Sequence, residues 1–137
     1  MSEYQKKSED YEKAAVQLYT AKLYSAVGHT AYYSCFLLLE HIWKHKMSMT
    51  KEDLYALCSD SPNTHDRLIN EIRDYIRDDC SEVKEHLKDS HNLHNNIVKL
   101  KRLRMMADYD DCCFNKMNSF SSITAMSYAL PILKKYV

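Results

Sequence analysis

Apolar residues recur along this chain at intervals of three and four, the spacing of one face of an α-helix. From Glu3 to about Leu23, Tyr11, Ala14, Ala15, Leu18 and Ala21 hold such a line, while Lys6, Lys7, Glu9, Glu12 and Lys13 fill the positions between. This predicts an amphipathic outer helix. From Tyr24 to about Lys46 there are two apolar lines: Val27, Ala31, Ser34, Cys35, Leu38 and Ile42, then Tyr32, Tyr33, Phe36, Leu39 and Trp43. A helix apolar on two sides belongs at the centre of a bundle. Gly28 lies inside it and costs about 1 kcal/mol of helix propensity relative to Ala, which points to a neighbouring backbone approaching closely there.

Further along, Thr50 with Asp53 has the form of a capping box, predicting a short helix from Lys51 to Cys58. Ser61-Pro62 signals the next start, and a helix to about Asp78 buries His65, Leu68, Ile69, Ile72 and Ile76 while Arg67, Arg73, Arg77 and Asp78 stay in water. The polar run from Ser81 to Asn92 reads as a helical extension or a connection. Ser90 is expected to cap another helix carrying Leu93, Ile97, Leu100, Arg104 and Ala107 inward. Asp108-Tyr109-Asp110-Asp111 is expected to end that helix, because clustered Asp side chains compete for backbone hydrogen bonds. A last helix from about Ser119 to Tyr136 carries Ile123, Met126, Leu130 and Leu133, with a bend expected at Pro131.

Composition agrees with this pattern. One Gly and two Pro are too few turn residues for a β-rich fold of 137 residues. The expectation is one all-α domain over residues 1–137, an up-and-down bundle of four to five helices with a short extra helix in a connection. Nineteen basic residues balance nineteen acidic ones, which excludes the strong positive field of a protein that coats nucleic acid non-specifically; any such contact must be local. Five cysteines, two of them adjacent (Cys112 and Cys113), make a poor disulfide framework and suggest a reducing, cytoplasmic compartment. MSEYQKKSEDYEK has no apolar run that would serve as a signal peptide. The longest strongly apolar stretch, Tyr32 to Leu39, is far short of the about twenty residues that span a bilayer, so no membrane association is expected.

The stretch Lys99-Leu100-Lys101-Arg102-Leu103-Arg104 places four cations around a helix, with Arg104 facing inward and Lys99, Lys101 and Arg102 more exposed. An inward guanidinium needs partners, because an unpaired buried charge is very costly. It either ties the helix end to Asp108 or Asp110 as a structural ion pair, or lines a groove for phosphate, which Arg grips bidentately.

Ala31-Tyr32-Tyr33-Ser34-Cys35-Phe36, His65 three residues after Pro62, and Leu100, Arg104, Ala107, Asp108 and Tyr109 together resemble the small bacterial HEPN (higher eukaryotes and prokaryotes nucleotide-binding) proteins. Those proteins have an Ala-Tyr-Tyr-Ala-like core helix, a His opening a later helix, and a Leu-xxx-Arg-xx-Ala-Asp-Tyr element. The resemblance spans Ala14 to Leu133. It implies a helical bundle that forms a homodimer, binds or acts on RNA or nucleotide, and belongs to a toxin–antitoxin or defence module with a nucleotidyltransferase partner. It also implies a groove lined by Arg104, Arg102, Asp108, Tyr109, Tyr33 and Tyr32, with no cofactor or metal. The family's nucleases carry Arg, four to six residues, then His. No His stands at that distance from Arg67, Arg73, Arg77, Arg102 or Arg104, and a frame laid on Arg102 to Tyr109 has Ala107 in the His position. His65 is then the acid–base candidate left.

Two other classes compete. One is a helical protein-interaction module in which these residues only lock the packing. The other is a bundle metalloprotein using His41 with His45, or His86, His91 and His94, although neither set comes with the Glu-rich motifs of bundle metal sites.

Overall fold

The computed structural model describes residues 1–59, 63–78 and 83–137, the side chains of residues 83 and 84 excepted. Among the described residues every regular element is helical: α1 (Glu3–Thr20), α2 (Tyr24–His41), α3 (Lys51–Leu57), α4 (Thr64–Asp78), α5 (Val83–Tyr109) and α6 (Lys116–Lys134), with a π-turn (Ile42–Lys46) continuing α2. The fold is the expected all-α bundle: five long helices and one short helix in a connection.

Local chemistry sets the helix starts. Ser2 and Gln5 form a reciprocal capping box on α1, Thr50 and Asp53 form one on α3, and Asn115 and Asn118 form one on α6. The last of these moves the start of α6 three residues ahead of the expected Ser119. The expected Ser61-Pro62 start lies outside the described residues; within them, the Asn63 side chain accepts from the Asp66 amide at 3.2 Å.

α2 is the centre. It packs against α1, α4, α5 and α6, and both of its apolar lines are buried, with only Tyr33 half-exposed. The core joins Ala15 of α1, Leu39 of α2, Ile72 of α4, Leu100 of α5 and Leu133 of α6 in one cluster. Ser8 crosses from α1 to donate to the Ser34 carbonyl at 2.6 Å. The Gly28 gap is filled by α5 and the connection after it: a Cβ there would lie 2.9 Å from Ala107 Cβ and 3.1 Å from Phe114 Cζ.

Three expectations are corrected. Ser90 caps nothing: α5 runs unbroken from Val83, and the buried Ser90 hydroxyl donates back to Leu87 O at 2.9 Å. From Val83 on the polar run is helical, and side chains along it find partners elsewhere in the fold. Asp89 accepts from the Tyr136 hydroxyl at 2.9 Å, and His94 lies 3.2 Å from Asn70 Oδ1. Arg73, expected in water, is half-buried between Asp74 and His94. Lys101, expected among the exposed cations, has a side chain only 18% exposed and pairs with Asp66 of α4.

α5 ends at Tyr109, where the Asp cluster begins, and α2 gives way to the π-turn over its last expected residues. No helix among the described residues is long and apolar enough to cross a membrane.

Candidate functional site: an arginine among tyrosine rings

The end of α5 brings Arg104 against the middle of α2. Its side chain is 12% exposed, and Nε donates to Asp108 Oδ2 at 3.1 Å while Nη2 donates to the Tyr109 hydroxyl at 3.0 Å. These partners lie four and five residues on, in the next turn of α5. The guanidinium carbon stands 5.2 Å from the Tyr33 ring centre, 5.1 Å from that of Tyr109 and 5.9 Å from that of Tyr32, inside the range of cation–π attraction.

Two histidines complete the cluster, and neither belongs to the arginine's own helix. His29 on α2 lies one turn before Tyr33. Its Nδ1 is 2.9 Å from Asp108 Oδ2, the oxygen that Arg104 also holds, and its ring is 4.7 Å from that of Tyr33. His65 enters at the first turn of α4, with Nδ1 2.8 Å from the Tyr32 hydroxyl and its ring stacked on Phe36 at 4.2 Å. Burial lowers the His65 pKa, and Arg104 and Lys101 lower it further. His65 is therefore neutral near pH 7, and its engagement by Tyr32 leaves Nε2 for a second partner. Burial pushes the Tyr32 and Tyr33 hydroxyls upward, so both stay protonated.

The expected site residues fare differently. Arg104, Asp108, Tyr109 and Tyr33 are brought together in one cluster. Tyr32 is also there, but its ring is fully buried, so it acts as a support that orients His65 and faces Arg104 rather than as a surface for a ligand. Arg102 is not part of the cluster: it is exposed, and two helical residues from Arg104 is about 200° of rotation. His65 does join. His29 is a member that sequence reasoning did not reach, because neither the Arg-to-His spacing nor the position after Pro62 points to it. The available signal was its position four residues before Tyr33, on the same face of α2.

The histidines weighed as metal ligands are engaged elsewhere. His41 Nδ1 lies 2.7 Å from Ser2 Oγ, and His91 Nε2 is 3.2 Å from Asn95 Nδ2. Among the described residues no three His, Cys, Asp or Glu side chains converge as a metal site.

This arrangement offers a fixed cation, an imidazole on each side of a tyrosine ring, and a carboxylate shared between cation and imidazole. Such a set can hold a phosphate and move a proton without a metal. It defines the protein by class as a helical bundle with an arginine–tyrosine–histidine cluster where α5 meets α2. Comparison with family models, curated proteins and solved structures finds no match.

One buried and two half-buried histidines also set a pH dependence. His41, His65 and His94 all have pKa values lowered, chiefly by burial. The unfolded chain then takes up protons first, at about pH 6.5, and the native state follows only at lower pH. Stability is expected to be full above that value and to fall as the solution is acidified toward about pH 5. Glu40 works in the opposite direction, since burial raises its pKa and protonation relieves that cost. Urea midpoints measured across this range check the balance; a midpoint that rises steadily on acidification would mean the three imidazoles are not held neutral.

Proposed function

We propose that this chain is a HEPN-type bundle that binds RNA or a nucleotide at the Arg104 cluster. In this reading it works as a homodimer with a small nucleotidyltransferase in a bacterial toxin–antitoxin or defence module. The observation that carries the proposal is the guanidinium of Arg104, half-enclosed by the rings of Tyr33 and Tyr109, with His29 and His65 beside it. Aromatic rings beside a cation are the elements that single-stranded nucleic acid uses for stacking and phosphate neutralisation. If the cluster cleaves RNA, His29 and His65 take the acid and base roles for which the family's linear motif has no residue here. Arg104 then steadies the phosphate.

A second reading is favoured by one feature. Asp108 and Tyr109, from the arginine's own helix, already partner Arg104. This would suit a packing lock in a protein-interaction module without a ligand. Fluorescence anisotropy of a labelled single-stranded RNA separates the two. The HEPN reading expects saturable binding that weakens as salt is raised, because a local cation releases counterions from the phosphates. RNA and mononucleotides that both fail to bind at low salt would leave the packing lock.

A further inference from the structure

His65 borders a second feature. A cavity of about 440 Å³ opens beside it, walled by Phe36, Glu40 and Trp43 from α2 and its π-turn, Tyr55 from α3, and Leu68 from α4. That volume lies within the range of small-molecule pockets.

The wall is built by the π-turn. Met47 N bonds back five residues to Ile42 O at 2.9 Å, and Met49 N bonds to Trp43 O at 3.0 Å. Such turns concentrate at functional sites. The Trp43 indole N–H donates to Thr50 O at 2.8 Å, which fixes the ring and pins the start of α3 against it. Within these aromatic walls Glu40 is the half-buried carboxylate. Burial raises its pKa, against the pull of Lys51 and a hydrogen bond from the Tyr4 hydroxyl, and the acceptor positions that Tyr4 does not use gain from an N–H donor brought to them.

The cavity and the Arg104 cluster share one face of α2. His29, Tyr33, Phe36 and Glu40 follow at helical spacing, and at 1.5 Å per residue the face is about 16 Å long from His29 to Glu40. The His65 ring, stacked on Phe36 and edge-on to Tyr33 at 6.2 Å, belongs to both ends. A ligand with a flat ring at one end and a phosphate at the other suits this face. Among the nucleobases, guanine presents two adjacent donors, N1–H and the 2-amino group, to a carboxylate. Adenine, cytosine and uracil each set an acceptor beside their donor.

We propose that the Glu40–Trp43 cavity is a guanine-binding subsite whose open end leads to the Arg104 cluster. The phosphate half rests on the reading of Arg104 given above; base recognition by Glu40 does not.

Trp43 is the chain's only tryptophan, so its emission reports directly on the cavity. Guanosine and GMP are expected to change that emission saturably. Inosine, which lacks the 2-amino group, and adenosine are expected to bind about tenfold more weakly or worse. Glu40→Gln should weaken guanosine by a similar factor with its circular dichroism unchanged, and Arg104→Ala should weaken GMP more than guanosine, removing the advantage that the phosphate gives.

Equal affinities for guanosine, inosine and adenosine would overturn the proposal without any variant being needed, as would an emission that no nucleoside moves. If RNA still bound in that case, the subsite alone would have failed. Guanosine binding that gains nothing from a phosphate, with no RNA binding, would support the subsite and remove the phosphate reading of Arg104.

Discussion

Arg104→Ala is expected to weaken RNA or nucleotide binding by about 2–3 kcal/mol, roughly 30- to 150-fold, while the protein stays folded. The binding loss follows from geometry. Arg104 is the cation at the centre of the cluster, 5.2 Å from the Tyr33 ring, and charge-assisted bonds to phosphate are stronger than neutral ones. The stability loss is expected to be only about 1–2 kcal/mol, because neither partner is left stranded. Asp108 keeps His29 at 2.9 Å, and Tyr109 is exposed enough for water to replace the guanidinium.

The packing-lock reading expects the reverse: a loss of about 3–5 kcal/mol, as when one member of a buried pair is removed, with no ligand phenotype. Arg104→Lys sharpens the comparison. It keeps the charge but loses the planar fork, so binding should fall between wild type and Ala, and the Tyr109 contact should be lost. Anisotropy titrations and urea melts on the three proteins together decide between the readings.

Gly28→Val is expected to cost about 3 kcal/mol, at the upper end of ordinary overpacking. Even the Cβ of an alanine would sit 2.9 Å from Ala107 Cβ and 3.4 Å from Leu103 O, both fixed to the α5 backbone. A Cβ has no rotamer that escapes this, so α2 and α5 must separate. For Ala, the gain of about 1 kcal/mol in helix propensity offsets part of that strain; for Val, two further methyls leave nothing to offset it. Thermal unfolding should show a melting temperature lower by about 10 °C for Val and by much less for Ala. The same separation shifts Arg104, three residues before Ala107, away from Tyr33, so ligand affinity should fall with stability. A Gly28→Val protein as stable as wild type would show that the helices do not approach as described.

Much of this fold was legible in the sequence. Periodicity located the long helices, and the two apolar lines of α2 identified the central helix. Thr50 with Asp53 marked α3, and the Asp cluster marked the end of α5. The misreadings fell where tertiary partners override local propensity. Ser90 looked like a cap because it stands at the end of a polar stretch, just ahead of the Leu93 line, but Asp89 and His94 are bonded to Tyr136, beyond α6, and to Asn70 on α4, and α5 continues through them. Lys101 looked solvent-bound, but Asp66 of α4 draws it in.

The sequence by itself determined that the chain is helical, which faces are buried, and that Arg104 turns inward, because these follow from spacing along single helices. Only the tertiary structure decided which residues meet that arginine. His29 and His65 reach it from two other helices, Arg102 is turned away, and Glu40 joins Trp43 around a cavity. The reason is that helical periodicity fixes the angle of a side chain about its own axis, whereas the crossing of separate helices fixes what it faces.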